Sequence, residues 1–216
     1  IDNTAELQRI AKIIQQLIIA TPMPQDIVEE IQESYELLGV NTSNAHDLIE
    51  SKDAFVAVRS SATAEDLPSA SFAGQQATFL NVRGKDGVVN AVRECWASLF
   101  TARAIYYREK NKFEHSKVYI SAIVQQMVDS EKSGIMFTIN PATNNGKEIV
   151  IEAVYGLGEA IVSGSVNPNS FLVDKESNKI TKHEIKKQDW GLFRDEKGNN
   201  VKRDISLEDQ KTQIIT

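Results

Sequence analysis

The stretch AFVAVRSSATAEDLPSASFAGQ, residues Ala54 to Gln75, decides how the rest of the chain is read. Its apolar strand runs onto an arginine, Arg59, and then into small hydroxylated residues. Short strands more often close on a tight turn of Gly, Asn, Asp or Pro. An arginine at the carboxyl end of a strand suits phosphate, because its planar fork donates two parallel hydrogen bonds and stays charged. Ser60, Ser61, Ala62, Thr63 and Ala64 are small enough to let backbone approach a ligand, and their hydroxyls can donate to phosphate oxygens. A flexible lid is one reading of the segment. The plainer alternative pairs Arg59 with Glu65 or Asp66 across an ordinary surface crossing.

Around this stretch, composition sets limits. The chain has 216 residues, 41% of them hydrophobic and 25% charged, enough for a real core in one domain or two small lobes. A formal net charge of -6 argues against a general polyanion binder, since nucleic-acid affinity rests on clustered Lys and Arg. Any anion must be gripped locally. No run of about 18 apolar residues and no leader-like segment is present, so the expected location is cytoplasmic, without a membrane partner. A single cysteine, Cys95, forms no internal disulfide. His46, His115 and His183 are far apart and lack zinc spacing. The chain opens on Ile1 rather than Met, has no glycine before Gly39, and closes on KTQIIT just as an apolar segment begins. It reads as truncated at both ends.

Helices come first and strands later. Asn3 can cap a helix with Glu6 three residues on, and Leu7, Ile10, Ile13, Ile14, Leu17 and Ile18 recur at helical spacing. TPMPQD breaks it. A second helix is expected from about Pro24 to Gly39, with Ile27, Ile31 and Leu38 on one face. ATFLNV reads as a strand and GKDG as its turn. A longer helix then carries Val88, Val92, Cys95, Trp96, Leu99 and Phe100 as an apolar stripe, which makes Cys95 a core residue rather than a nucleophile. Strand-like runs follow in KVYISAIVQQMV, SGIMFTIN, KEIVIEAVYG and SFLVDK, with hairpin arms expected around ESNK and EKGNN. This order predicts an α+β domain over residues 1–216, helical over about 1–50 and mixed sheet and helix over about 54–216.

Two further segments invite chemistry. GLGEAIVSG, Gly156 to Gly164, follows a strand and resembles a phosphate turn, yet the dinucleotide fingerprint would want glycine where Ile161 stands. Its glycines also suit a plain tight turn. No GxxxxGK[ST] loop occurs. In VQQMV, Gln125 is polar within an apolar strand and shares a face with Tyr119, Ser121, Ile123 and Met127 by period-two alternation. Such an amide can satisfy an adenine edge between apolar side chains, or it can simply face solvent.

Four blocks in order, VAVRSSATAEDLPSASFAGQQATFLNV, CWASLFTARAIYYREKN, VQQMVDSEKSGIMFTINP and YGLGEAIVSGSVNPNSFLV, resemble the ATP-binding domain of the phosphoenolpyruvate synthase (pyruvate, water dikinase) family. The likeness runs from about Pro22 to Thr216. It implies an ATP-grasp-like nucleotide domain, truncated at both ends. It also implies ATP and Mg2+ as cofactors, and a parent chain that phosphorylates a histidine on a mobile domain and then pyruvate on a barrel domain, releasing AMP and phosphate. By motif matching, Arg59 would stabilise charge during phosphoryl transfer as the catalytic cation. Gly74 and Thr78 would lie against the nucleotide, Gln125 at the adenine end, and Met127 and Val128 in the segment connecting the lobes.

The family's glycine-rich loop with its phosphate-binding lysine would precede Ile1, and its metal ligands would follow Thr216. None of the three histidines sits in the phosphohistidine motif. Residues 1–216 alone are therefore expected to be inactive, with the phosphohistidine and pyruvate-binding domains of the parent chain as partners and a homo-oligomer possible through it. Rifamycin phosphotransferases share nearly the same VRSSATAEDLP and GLGEA blocks and are the alternative. Pyruvate, phosphate dikinase stands third, because its equivalent loop is rich in glycine and methionine. A reading from another class is a nucleotide-binding module without chemistry.

Overall fold

The structure is a computed structural model that describes residues 3–38, 53–63, 66–67, 70–71 and 77–215. It divides into two compact units, Ile1–Met127 and Val128–Thr216.

The first unit begins with two helices. Helix α1 spans Thr4–Ala20, and the Asn3 side chain accepts from the Glu6 amide at 3.1 Å, as the capping pattern predicts. The Glu6 carboxylate turns instead to Arg9, whose Nε and Nη2 donate to it at 2.8 and 2.7 Å. Helix α2 spans Gln25–Leu38. Pro24 stands just before it, and its carbonyl accepts from the Val28 amide at 3.1 Å. Gly39 lies outside the described residues.

Strand β1, Val56–Ala62, is the middle of an antiparallel sheet. The two-residue arms β2, Asp66–Leu67, and β3, Ala70–Ser71, pair with each other. Strand β4, Thr78–Val82, and strand β5, Ile120–Gln126, flank β1 in the order β4-β1-β5. Between β4 and β5 runs helix α3, Lys85–Ala97, a 3-10 turn over Ser98–Phe100, and helix α4, Ala102–Lys110. GKDG is thus not a free turn. Gly84 caps α3 with φ near 81° and Lys85 already begins the helix. The single long helix expected through Phe100 also breaks at Ser98, whose hydroxyl donates to the Cys95 carbonyl at 2.6 Å. A serine that bonds backward to the preceding turn competes with the helical ladder.

One face of this sheet is closed. Val56, Val58, Val88, Ala91, Val92, Cys95 and Tyr35 form its core, with Ile31, Phe79, Val82 and Val124 packed against them. Cys95 is fully buried and burial pushes its thiol up to about 11, as befits a core residue. Against β1, β4 carries a bulge: Val56 pairs with Val82 but Val58 with Phe79, so three residues of β4 span what two of β1 span. Asn81, at φ near 55°, takes the left-handed conformation inside it.

The second unit is an antiparallel meander of β6 (Lys132–Phe137), β7 (Glu148–Tyr155), β8 (Asn169–Asp174) and β9 (Lys179–Glu184), with the short helix α5, Glu159–Val162, after β7. A hairpin of β10, Trp190–Arg194, and β11, Asn200–Asp204, follows. The expected arms around ESNK and EKGNN correspond to the β8–β9 and β10–β11 connections. Buried amides tie these pieces together. Gln188 accepts from the Tyr155 amide at 3.0 Å and donates to the Trp190 carbonyl at 2.9 Å, while Asn169 accepts from the Ile214 amide at 3.2 Å.

Tyr35 is the corresponding staple of the first unit. Its hydroxyl donates to the Ala54 carbonyl at 2.6 Å and accepts from the Gly84 amide at 3.0 Å, joining α2 to the entrances of β1 and α3. Tyr35→Phe leaves both backbone groups without that partner and is expected to cost about 1–3 kcal/mol in urea unfolding. An unchanged midpoint would mean that water replaces the hydroxyl.

Candidate functional site

Arg59 does not close its strand. β1 continues through Ala62, because Ser60, Ser61 and Ala62 pair with Ala122, Ser121 and Ile120 of β5. Ladder bonds to β5 override the turn-like composition, and the chain leaves the strand only at Thr63. There the Thr63 amide donates to the Tyr119 carbonyl at 3.0 Å, and the Tyr119 amide donates to the Thr63 hydroxyl at 3.1 Å. The small residues expected to form a loop are thus largely strand. Ala64, Glu65 and Gly74 lie outside the described residues.

Strand alternation then sorts the side chains. Val56 and Val58 point to the core, so Ala57, Arg59 and Ser61 belong to the opposite face. The register sets Thr78 of β4, Arg59 of β1 and Ile123 of β5 in one row across the sheet. In the next row Ala57 stands opposite Gln125, and on the other side Ser61 stands opposite Ser121. Directly opposed side chains have Cβ atoms about 5 Å apart, and diagonal neighbours such as Arg59 and Gln125 about 7–8 Å. Arg59, Thr78, Ile123 and Gln125 are all exposed. The side chains of Glu65 and Asp66, the partners in the plainer alternative for Arg59, lie outside the described residues. The Ser121 hydroxyl donates to the Ser61 carbonyl at 3.2 Å.

Three residues singled out from the sequence, Arg59, Thr78 and Gln125, therefore share one face of one sheet. Such a face offers a cation, hydroxyls beside it and an amide a short distance along the strand, a set suited to an anionic ligand with a polar ring edge. Met127 and Val128 stand at the end of β5: the Met127 amide donates to the Phe55 carbonyl at 2.8 Å, and Val128 is 74% exposed. Sequence reasoning missed the direct pairing of Thr78 with Arg59, which depends on the β4 bulge and leaves no periodic signal.

GLGEAIVSG resolves differently. Gly156 has φ near 83° and forms a parallel bridge to Leu192, and the Leu157 amide donates to the Leu192 carbonyl at 2.7 Å. A Cβ on Gly156 would lie 2.2 Å from the Leu192 carbonyl oxygen. Its glycine is required by a backbone crossing, in keeping with the tight-turn reading. His115 accepts at Nδ1 from Arg108 Nε at 2.9 Å, within a buried clamp in which Arg108 also donates to the Leu99 carbonyl at 2.6 Å. His183 is exposed on β9, and His46 lies outside the described residues. No group of three His, Cys, Asp or Glu side chains able to hold a metal occurs among the described residues. No helix among them is long and apolar enough to cross a membrane.

The scaffold that carries this face is mixed α and β with antiparallel sheets, and residues 1–216 match the pyruvate phosphate dikinase AMP/ATP-binding domain, the family to which this chain belongs. Among named relatives, the chain is 48% identical over 216 residues to the "Probable phosphoenolpyruvate synthase" of Methanothermobacter thermautotrophicus, covering 100% of this chain and 30% of that protein. It is 51% identical over 194 residues to the phosphoenolpyruvate synthase of Pyrococcus furiosus, covering 90% of this chain and 23% of that one. For the phosphoenolpyruvate synthase of Aeropyrum pernix the identity is 44% over 190 residues, with 88% and 22% covered. The chain thus spans less than a third of the length of these relatives.

Gly156→Ala is expected to destabilise the second unit by about 3 kcal/mol or more, through the left-handed backbone and the clash with Leu192. Thermal unfolding checks this, and a shift within error would show that the crossing relaxes without cost.

Proposed function

We propose that this chain binds ATP on the open face of the β4-β1-β5 sheet, as the nucleotide-binding part of a phosphoenolpyruvate synthase with an ATP-grasp-like architecture. The observation that carries this reading is the convergence of Arg59, Thr78 and Gln125 on one face. Arg59 grips phosphate oxygens with its fork and offsets charge that builds up as a phosphoryl group leaves. Thr78, directly across the strand, offers a hydroxyl to the same oxygens, and Gln125 meets the polar edge of adenine. Gly74 and the Met127–Val128 segment are assigned to the nucleotide as well, Gly74 for close backbone approach.

In the full reaction on this reading, ATP and water phosphorylate a histidine on another domain with release of AMP and phosphate. The phosphoryl group then passes to pyruvate. The names of the relatives support pyruvate over rifamycin as the final acceptor. The chemistry assigned to the described residues is nucleotide binding and charge stabilisation. The cytoplasm, where ATP is held, is the location this reading implies, and residues 1–216 by themselves are proposed to bind without turning over.

Calorimetric titration with ATP, with and without magnesium and with GTP as comparison, tests the reading. Selective ATP binding is expected. Arg59→Ala should weaken it about ten- to a hundredfold, the worth of a charge-assisted contact, without loss of fold. Arg59→Lys should recover little, because an ammonium cannot reproduce the fork. Undiminished affinity in Arg59→Ala would overturn the assignment.

A further inference from the structure

The open face holds an apolar side chain where polar ones would be the rule. Ile123 is 43% exposed, directly opposite Arg59 in the register and two residues before Gln125 on the same strand. Its partners in the row are Arg59 and Thr78, and the rows on either side contribute Gln125 and the serines Ser61 and Ser121. Ile123 belongs to neither hydrophobic cluster of this unit, whereas Val124 and Ile120 on the same strand pack into them. A half-exposed isoleucine in the middle of a polar face gains nothing from water, and covering it with a flat apolar surface is favourable.

We infer that Ile123 is the apolar seat on which the base of the nucleotide rests, placing the ring so that its edge reaches Gln125. This rests on the ATP reading given above and deepens it. Along β5 the order is Gln125, Ile123, Ser121, Tyr119, and across from it on β1 stand Ala57, Arg59, Ser61 and Thr63. The base lies at the Gln125 end. The phosphates run past Arg59 toward Ser61, and at that end of β5 stands Tyr119, 66% exposed, whose phenol offers a further hydroxyl. Gln125 alone fixes little, because its amide can rotate to meet either a donor or an acceptor. Contact with Ile123 selects for a ring, and Arg59 selects for charge.

The separation of these roles is testable on the chain as it stands, by titrating ATP and inorganic tripolyphosphate, which has the charge without the base. Ile123→Ser is expected to weaken ATP about tenfold, the worth of the covered apolar area, while leaving tripolyphosphate within about twofold. Ile123→Val should keep nearly full ATP affinity. Arg59→Ala should weaken both ligands. Unchanged ATP affinity in Ile123→Ser would overturn the inference while leaving the ATP reading intact. Equal loss of both ligands in Ile123→Ser would overturn it too, by assigning the residue to the integrity of the sheet; a thermal melt of the same variant shows that loss directly. Absence of ATP binding in the unsubstituted chain would overturn the ATP reading and this inference together.

Discussion

Everything proposed for the first unit depends on β1 being paired on both edges. With β4 on one side and β5 on the other, the strand cannot turn away after Arg59, and its alternation is fixed residue by residue. Val56 and Val58 are drawn into the core formed with α2 and α3, which leaves Arg59 no direction but the opposite face. Burial of the valines and presentation of the arginine are two sides of one constraint. The backbone that carries this cation is fixed by ladder hydrogen bonds, so on binding an anion only the rotamers of the exposed side chain itself remain to be ordered.

Much of this was legible in the sequence, and the reasons differ by element. Helix α1 announced itself through periodicity and Asn3, both local signals that need no tertiary partner. The strands around Val58, Val124 and Ile151 were legible because each is an apolar run of strand length. Two features were not. Ser60, Ser61 and Ala62 look like loop by composition, and only the partner strand, more than 50 residues away in sequence, makes them strand. The break at Ser98 is equally invisible to a hydrophobic stripe that continues to Phe100, because the competing bond is made by a single hydroxyl. Of the candidate site, residue types were readable and their adjacency across strands was not.

The second unit shows the same division. Gln188, in a polar stretch, and Asn169, at the start of β8, are among its most buried residues, each satisfying backbone groups from segments far apart in sequence. A buried amide with its donors and acceptors met is a strong and specific fastener, because an unpaired one would be costly. Glycine at position 156 belongs with them. Its motif suggested a ligand, but the space it vacates is taken by the chain's own Leu192. A glycine-rich signature records that something approaches closely, not whether the visitor is a substrate or the protein itself.

The bulge in β4 sets a length requirement that composition does not express. Phe79 and Val82 both face the core although three positions apart, which strict alternation forbids. The extra residue accommodated at left-handed Asn81 absorbs the mismatch, and through it Thr78 emerges on the same side as Arg59. At unchanged length, a regular ladder without the bulge would turn Thr78 inward and put Phe79 on the face of Arg59, whereas removing one residue between Phe79 and Val82 would restore plain alternation and leave both on their present faces. Bulge and residue count therefore go together in this strand: at this length the left-handed Asn81 is what holds Phe79 and Thr78 on opposite sides, and a strand one residue shorter would reach the same faces by simple alternation.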